Sequence, residues 1–544
     1  MFKVKLNDQE IELDKPTSLL ELAKPDEKKY VGAKVNNRIR ELTFVVNRDC
    51  EIEFLDLCNT EASRIYEASL RYLMVMAIER TFPGTLVEFN YSISRSVMCQ
   101  FLNFNRRIDN TVVKLIQEEM NKLIEMDLPI KRLTLSISDA TAYYEKKGYQ
   151  KKMDILKYRT EKTVNLYECD DYINYMFGYM VPSTGYLSKY KLRVYYPGIM
   201  LQYPRADYNG LIPPFEDSPS LSSTLFKAAK WSKICDASYI ADMNKIVENN
   251  QEIDFINMCE TKHTNMLAEL GEKISADKNI RLVAIAGPSS SGKTTFSMRL
   301  QIELKTRGLH PVMISIDDYY LSRDEAPKDE FGEPDLEHIE ALDIDLFNHD
   351  MLALVSGEEV TLPKFNFKTG KREKGKTIKV LDGEPIIIEG IHALNETLTS
   401  LIPRHQKFKI YIAPQIQLHI DSHNPINMTD IRLLRRLVRD KNYRNTDPRQ
   451  TFAMWKSVRR GEFRWIYPTQ EEADYVYNSE LTYELCVLKK YALPMLESIG
   501  RDDEYFIQAN KLIKFLKYFK DIDDTWVPCN SLLREFIGKS CFHV

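Results

Sequence analysis

The sequence predicts a doubly wound α/β domain with a parallel sheet, preceded by two smaller α+β modules, and three observations support this fold class. First, residues 280–286 (IRLVAIA) form a continuous apolar run, which is typical of a strand buried on both faces of a parallel sheet. Second, strand-like and helix-like stretches alternate from there through VMISI, KTIKVLDGEPIIIEG and KFKIYIA to RLLRRLVRD. Third, residues 2–13 alternate polar and apolar side chains about a turn at Asn7-Asp8, and mixed strand and helix patterns continue to about residue 58.

Length and composition describe an ordinary globular protein with more than one core. The chain has 544 residues, of which 44% are hydrophobic and 28% are charged, so we expect several packed domains. The net charge of −4 gives no bulk electrostatic attraction to nucleic acid or to a membrane. Nine cysteines without a CxxC pair are typical of reduced thiols. Because the sequence has no apolar leader and no run long enough to span a membrane, it predicts a cytoplasmic location and no membrane partner.

Domain boundaries follow from the same patterns. The stretch 210–223 (GLIPPFEDSPSLSS) is rich in proline and serine, which is typical of a boundary. We expect modules at 1–58 and 59–215, a helical connector at 216–278, the α/β domain at 279–494 and a C-terminal extension at 495–544.

A phosphate-binding loop directly follows the first apolar strand of the α/β domain. Residues 287–294 (GPSSSGKT) match the pattern G-x-x-x-x-G-K-[ST], and a helical stretch follows, which is the context that the motif requires. The glycines let successive backbone N–H groups point at phosphate oxygens, and the helix N-terminus adds positive potential. We expect Lys293 to reach the terminal phosphates and the Thr294 hydroxyl to ligate Mg²⁺. The predicted ATP-binding residues are Gly287, Ser289, Ser290, Ser291, Gly292, Lys293, Thr294 and Thr295.

Two acidic residues are predicted at the carboxyl end of the sheet, where doubly wound folds bind their ligands. Asp317 follows the strand VMISI, and Glu389 follows PIII. Transfer of a phosphoryl group to a hydroxyl needs one carboxylate to accept the proton and another to hold the metal. We therefore expect Asp317 to be the base and Glu389 to join Thr294 as a metal ligand, whereas Asp318 fits a solvated helix cap better.

An arginine-rich helix is predicted at 430–440 (DIRLLRRLVRD). Its arginines are spaced i, i+3, i+4 and i+7, so they share one face of the helix. Two interpretations are open: a lid whose guanidiniums clamp the transferring phosphoryl group, or a solvated face paired with the helix's own aspartates. A phosphate loop in the same domain favours the lid. In that interpretation Arg435 and Arg439 are catalytic, and Arg432 and Arg444 bind the substrate.

The segment from Ile280 to about Ala492 resembles the uridine kinase and phosphoribulokinase family of P-loop kinases. The motifs that carry this resemblance, in the family's order, are GPSSSGKTT at 287–295, IDDYY at 316–320, EHIEALD at 337–343, IIEGIHAL at 387–394 and DIRLLRRLVRD at 430–440. The resemblance implies Asp317 as the base, with Tyr320, Glu337 and Arg372 on the acceptor side. Glu337 stands where uridine kinases usually have Asp. Gly370, within FNFKTGKR at 365–372, stands where they have a base-reading His.

The N-terminal half resembles a different family. Residues 1–58 look like the TGS module of threonyl-tRNA synthetases and related GTPases, and residues 59–215 look like the synthetase's second additional domain, which edits mischarged tRNA. Its metal-ligand positions fall on Ala68, Tyr72, Met176 and Met180. None of these side chains is a plausible ligand in a hydrolytic metal site, so we expect that the editing reaction has been lost. Fusion of such modules to a uridine-kinase-like domain resembles an architecture of bacterial nucleoside kinases.

Together these patterns predict an ATP- and Mg²⁺-dependent enzyme that phosphorylates the 5′-hydroxyl of a nucleoside, uridine or cytidine first among them. Two alternatives stay open: a P-loop kinase for another small hydroxyl compound, favoured by Gly370, and a non-catalytic RNA-binding or regulatory protein. Retention of Lys293, Thr294 and Asp317 argues against the non-catalytic alternative. The sequence leaves open whether the N-terminal modules contact RNA or a nucleotide, and whether the chain forms a homo-oligomer.

Overall fold

The computed structural model of the protein describes residues 1–6, 9–23, 28–322, 324–329, 332–366 and 369–542. The turn predicted at Asn7-Asp8 lies outside these ranges, between two strands that are present as expected. The elements of the first module are β1 (Phe2–Leu6), β2 (Gln9–Leu13), β3 (Thr17–Ser18), α1 (Leu19–Leu22), β4 (Gly32–Val35), β5 (Arg38–Arg40), β6 (Val45–Val46) and β7 (Cys50–Leu55). Five of its strands form a mixed sheet in the order β2-β1-β7-β4-β5.

The second module surrounds one long helix, α2, most of whose residues are buried. Its elements are α2 (Thr60–Thr81), β8 (Val87–Ile93), β9 (Ser96–Phe101), α3 (Asn110–Glu125), β10 (Lys131–Ser136), α4 (Ile137–Lys147), α5 (Gln150–Leu156), β11 (Thr163–Cys169), β12 (Tyr172–Asn174), β13 (Lys191–Tyr195) and β14 (Gly198–Gln202). Two antiparallel sheets form, in the orders β13-β14-β9-β8 and β10-β11-β12. The connector that follows contains α6 (Pro219–Ile234), α7 (Ile240–Glu248) and α8 (Glu252–Ala276).

The α/β region has the predicted doubly wound fold. Its elements are β15 (Leu282–Ala286), α9 (Lys293–Thr306), β16 (Val312–Ser315), α10 (Ile344–Val355), β17 (Glu359–Asn366), β18 (Lys371–Lys379), β19 (Ile386–Glu389), β20 (Lys407–Ala413), β21 (His419–Asp421), β22 (Asn424–Pro425), α11 (Met428–Arg444), α12 (Pro448–Gly461), β23 (Tyr475–Asn478) and α13 (Glu484–Glu497). The central sheet runs β16-β19-β15-β20-β23, and each of these neighbouring pairs is parallel. The extension adds α14 (Phe506–Leu516) and α15 (Arg534–Ile537).

The central sheet is buried on both faces because its strands contribute alternate side chains to two cores. In β15, Val283 and Ile285 join one apolar cluster, while Leu282 and Ala284 join another. Successive side chains of a strand point to opposite faces, so a run that is apolar throughout must be covered twice. The prediction of a doubly wound sheet from the apolar run is therefore confirmed, and its physical cause is the burial of the strand on both faces.

The predicted connector and extension both pack on one face of this sheet. Apolar residues of α8 and α14, among them Phe255 and Leu512, belong to the same cluster as Val283. The two segments therefore complete the core of the α/β region. No helix within the described ranges is both long enough and apolar enough to cross a membrane.

Candidate active site

The carboxyl ends of three neighbouring strands bring the predicted site together. Ile285 of β15 and Ser315 of β16 both lie in register with Glu389 of β19, and the Ser315 hydroxyl donates to the Glu389 carboxylate at 3.3 Å. The phosphate loop begins just after this row of residues. Asp317 lies just beyond Ser315, in the short 3-10 helix Ile316–Tyr319. The loop, the predicted base and a predicted metal ligand thus share one edge of the sheet.

The loop has the backbone geometry that phosphate binding needs. Gly292 has a φ of +91°, and α9 begins at Lys293, so the amides of the first helical turn, which lack partners within the helix, face the loop. A Cβ at Gly287 would lie 2.0 Å from the carbonyl oxygen of Ile412, which requires glycine at this position. The Lys293 ammonium donates to the carbonyls of Gly287 (2.9 Å) and Pro288 (3.3 Å), so this side chain folds back over the loop.

Three loop hydroxyls suit the oxygens of a phosphate chain. The side chains of Ser290, Ser291 and Thr295 are buried, and their hydroxyls have no hydrogen-bond partner among the described residues. Buried polar groups are normally paired, and a hydroxyl can donate one hydrogen bond to an acceptor oxygen. The residues present therefore fit the triphosphate of a nucleotide.

Three carboxylates surround Lys293, and burial raises the pKa of each. For Asp317, burial raises the pKa, and the positive charge of Lys293 opposes this shift. For Glu389, burial and the charge of Asp317 both raise the pKa. Burial also raises the pKa of Glu337 to about 7. Acidic groups whose pKa values are raised by burial beside a lysine are typical of a catalytic site.

Asp318, the neighbour of the predicted base, has a different partner. Its carboxylate accepts a hydrogen bond from the backbone N–H of Phe365 on β17, at 3.2 Å. Asp318 was expected to be a solvated helix cap, and it instead anchors the β17–β18 hairpin. The two adjacent aspartates thus differ: Asp318 holds the hairpin, whereas Asp317 is the predicted base.

The structure corrects the lid prediction for Arg432 and Arg435. Arg432 pairs with Glu462 and Arg435 pairs with Glu484, and all four side chains are at most 1% exposed. Arg432 Nε also donates to the carbonyl of Ser289 at 3.1 Å. A charge buried this deeply requires a close counter-charge, and that requirement keeps both guanidiniums beneath the loop. Both guanidiniums contact the loop backbone, since Arg435 donates to the carbonyl of Ser290 at 3.4 Å.

Arg436, which was not among the predicted site residues, lies on the loop side of the same helix. Its guanidinium donates to the Ser289 hydroxyl at 2.9 Å and to the Asp440 carboxylate at 3.3 Å. The buried Asp440 also pairs with Arg439 (2.9 Å) and Arg444 (3.5 Å), so it groups three arginines. Arg439 and Arg444 are both predicted site residues, and their positive charges lower the pKa of Asp317 against the effect of burial. The i,i+4 spacing to Asp440 is the sequence signal that could have indicated Arg436.

Tyr320 and Glu337, which the sequence predicts for the acceptor side, both lie near enough to Asp317 for its charge to act on them. The Tyr320 ring is mostly buried and lies 5.7 Å, centroid to centroid, from the ring of Phe365. A Cβ at Gly461, the last residue of α12, would lie 2.4 Å from the Glu337 Cβ. Glycine at this helix end therefore lets the Glu337 loop approach α12 closely.

Arg372 and Gly370 belong to the hairpin between β17 and β18. The Arg372 guanidinium pairs with Asp343, the N-cap of α10, at 2.7 Å, which differs from the substrate contact that was predicted. Gly370 has a φ of +67°, a backbone region that L side chains rarely adopt. This turn geometry explains why the residue is glycine and not histidine. Residues 367–368 of the motif lie outside the described ranges.

The four positions predicted to correspond to editing ligands form part of an apolar core. They are Ala68, Tyr72, Met176 and Met180, all at most 3% exposed and all in one cluster of the second module. The Tyr72 hydroxyl donates to the backbone carbonyls of Tyr167 (3.0 Å) and Tyr172 (2.9 Å). At the positions where the resemblance implied metal ligands, the side chains therefore pack in the core or form hydrogen bonds with the backbone.

The N-terminal region is similar to threonine–tRNA ligases. The ligase of Fusobacterium nucleatum subsp. nucleatum is 28% identical over 174 residues, which cover 30% of this chain and 27% of the ligase. The ligase of Desulforamulus reducens is 28% identical over 198 residues, which cover 35% of this chain and 31% of the ligase. The chain therefore spans less than a third of the length of these curated relatives.

The α/β region is similar to kinases. Two solved structures are similar to part of this chain at 20% identity. One, described as a candidate fructose transport system kinase of Silicibacter sp. TM1040, covers 39% of this chain and 98% of its own, with a TM-score of 0.28. The other, described as a candidate uridine kinase of Bacillus stearothermophilus, covers 37% and 89%, with a TM-score of 0.25. The sequence model of the phosphoribulokinase / uridine kinase family matches residues 282–484. The resemblance inferred from the motifs is confirmed: the α/β region is similar to the P-loop kinases of the phosphoribulokinase and uridine kinase family.

Proposed function

We propose that the protein is an ATP- and Mg²⁺-dependent kinase that phosphorylates the 5′-hydroxyl of a nucleoside. The observation that carries this proposal is the grouping of Asp317, Lys293 and Glu389 at one edge of the sheet, where the charge of Lys293 lowers the pKa of both carboxyl groups and both carboxylates raise the pKa of Lys293. A base, a phosphate-binding cation and a metal-binding carboxylate are the parts that phosphoryl transfer to an alcohol requires.

The Thr294 hydroxyl and the Glu389 carboxylate would hold the magnesium ion. Mg²⁺ prefers hard oxygen donors, and it usually takes one or two protein ligands while phosphates and water supply the rest. These two side chains match that donor set. When bound, the ion would neutralise charge on the phosphate oxygens.

Asp317 would accept the proton of the acceptor hydroxyl as the new oxygen–phosphorus bond forms and the bond to the leaving ADP breaks. A base whose pKa is raised toward neutrality takes up this proton more readily than an ordinary carboxylate. Lys293, Arg436 and Arg439 would stabilise the negative charge of the transferring group and of ADP. Arg432 and Arg435 would hold the loop in position for this step.

Glu337 would bind the sugar of the acceptor. An ionised carboxylate is an acceptor only, so it can receive hydrogen bonds from two neighbouring hydroxyls. Gly370 offers no side chain to the base, so we expect weaker base selectivity than in a kinase with a histidine there. One missing hydrogen bond changes discrimination by about 1–3 kcal/mol, or roughly ten- to a hundredfold.

A turnover screen tests this proposal. The full chain is incubated with ATP, Mg²⁺ and one of uridine, cytidine, inosine, adenosine or a set of sugars and small alcohols, and ADP and phosphorylated product are measured. We expect turnover with at least one nucleoside, abolished in Lys293→Ala and retained in Lys305→Ala, an exposed lysine of the same helix. Turnover with a different alcohol alone would favour the second kinase interpretation. Turnover that survives in Lys293→Ala would mean that the site lies elsewhere. Contact of the N-terminal modules with RNA or a nucleotide, a homo-oligomer and a cytoplasmic location stay predictions.

A further inference from the structure

The C-terminal extension covers the phosphate loop with residues 531–537. The Glu535 carboxylate accepts a hydrogen bond from the backbone N–H of Thr295 at 2.9 Å, and its side chain is only 6% exposed. A Cβ at Gly292 would lie 2.3 Å from Leu532 Cδ2, so the Leu532 side chain lies directly on the loop glycine. The extension therefore touches the loop at two neighbouring points.

Thr295 is in the first turn of α9, where the amides lack helical partners and would receive the phosphates of a nucleotide. An N–H group donates well to one acceptor at a time, so Glu535 and a phosphate oxygen compete for it. The charges also compete, since Glu535 acts on Lys293, the cation expected to meet the terminal phosphates. A carboxylate at this position repels a triphosphate that approaches the same amides.

The backbone of residues 531–537 is firmly held. A phosphate oxygen can therefore replace Glu535 at the Thr295 amide only if the Glu535 side chain moves. Leu533 and Phe536 are wholly buried in the core that also contains the sheet. The Phe536 carbonyl accepts from Asn442 of α11 at 3.0 Å, and its ring lies 5.1 Å from the Arg435 guanidinium. Detaching the segment would expose several apolar side chains at once, whereas Glu535 alone can rotate about its flexible chain.

We propose that Glu535 is an internal competitor of ATP, a built-in anion that holds the Thr295 amide and must be displaced when the nucleotide binds. The inference rests on the proposed ATP site and adds to it a device that lowers the affinity for ATP. It also gives the extension a regulatory role, because any partner that draws Glu535 away would raise the affinity for ATP.

The test measures the Kd of ATP, with Mg²⁺, by titration calorimetry on the full chain. Glu535→Gln preserves shape and can still accept the amide, but it carries no charge, so we expect ATP to bind at least tenfold more tightly. Glu535→Asp keeps the charge and is one methylene shorter, so we expect a smaller increase in affinity. This second variant decides the question if the glutamine variant does not fold. The matched control is Glu471→Gln, because Glu471 accepts from the amides of Ser220 (3.0 Å) and Leu221 (3.2 Å) in the first turn of α6. We expect no change in the Kd of ATP in this control.

The outcomes separate this inference from the proposed function. Unchanged or weaker ATP binding in both folded Glu535 variants, with wild-type binding that depends on Lys293, would overturn the internal competitor alone. Tighter binding in Glu471→Gln of the same size would overturn it too, since the effect would then be a general one of charge. Binding by the Glu535→Gln variant where the wild type shows none would support it. Absence of ATP binding in the wild type and in both Glu535 variants would overturn both proposals.

Discussion

At the scale of single residues, two adjacent aspartates test the assignment of the base. We expect Asp317→Asn to lower kcat by roughly 10²–10⁴-fold while ATP still binds, because a general base contributes about this much. Asp318→Asn is the matched control. Asp318 accepts a hydrogen bond from the Phe365 amide of the hairpin, and an asparagine carbonyl oxygen at this position can still accept it, so we expect this control to keep most of the wild-type kcat. Single-turnover kinetics with the acceptor found in the screen would measure both effects. Full activity in Asp317→Asn, with loss in Asp318→Asn, would contradict the assignment.

Glu337 predicts a pH dependence of stability. Burial raises its pKa from 4.5 to about 7, so between these values the folded state holds a proton that the unfolded state has released. Glu337 therefore contributes most to stability below about pH 4.5, and this contribution is lost as the pH rises through 7. Relative to Glu337→Gln, the wild type should lose about 1–3 kcal/mol of unfolding free energy between pH 5 and pH 8. Denaturant unfolding of both proteins across this range measures the difference. A difference that does not vary with pH would show that the carboxyl titrates normally.

At the scale of elements, helix α11 contains arginines of two kinds: Arg435 stabilises the fold, and Arg436 is expected to act on the transferring phosphoryl group. We expect Arg435→Leu to cost roughly 3–5 kcal/mol of unfolding free energy, because it leaves Glu484 buried and unpaired, and Arg435→Leu with Glu484→Leu to recover most of it. Arg436→Ala should cost only about 1 kcal/mol, since Asp440 keeps two other arginines, but it should lower kcat clearly. Chemical denaturation and turnover of the three variants measure both effects. Equal losses of stability in Arg435→Leu and Arg436→Ala would refute the division.

Local patterns could predict the sheet and the loop, because each rests on residues adjacent in sequence. The apolar run 280–286, the loop motif and the acid that follows a strand need no distant contact to be interpreted. The burial of Arg432 and Arg435 could not be predicted in this way, since it depends on Glu462 and Glu484, which are remote in sequence and reach α11 only in the folded chain. The role of α15 was equally hidden, because a helix of four residues has no periodicity.

At the scale of the whole molecule, the second module holds a hairpin of the kinase domain. The tip of β21–β22 enters the module beside the positions where editing ligands were expected. The His423 ring lies within hydrogen-bonding distance of the Asn174 amide (2.8 Å), and the Asn424 side chain accepts from the backbone N–H of Phe177 (2.8 Å). Because α11 begins shortly after β22, this contact joins the N-terminal half to the helix that supports the phosphate loop. The geometry favours a structural role for the module.

Variants of the ion pair between Lys152 and Asp421 test the structural role of the second module. The pair joins the second module to the hairpin at 3.0 Å, and its side chains are 2% and 0% exposed. Lys152→Met should cost about 3–5 kcal/mol of unfolding free energy, because it leaves the Asp421 charge buried without its counter-ion. The double variant with Asp421→Asn should recover part of this loss.

The matched control is Lys114→Met, whose partner Glu118 forms an exposed pair with it at 3.7 Å. Such pairs contribute about 0–1 kcal/mol, so this variant should unfold nearly as the wild type does. If the hairpin contact also positions α11, Lys152→Met should lower kcat as well, even where the protein remains folded, and Lys114→Met should not. Equal stability of the two lysine variants would mean that the second module does not hold the kinase domain through this pair. Reduced stability with unchanged kcat would mean that the module only stabilises the fold and leaves the phosphate loop unaffected.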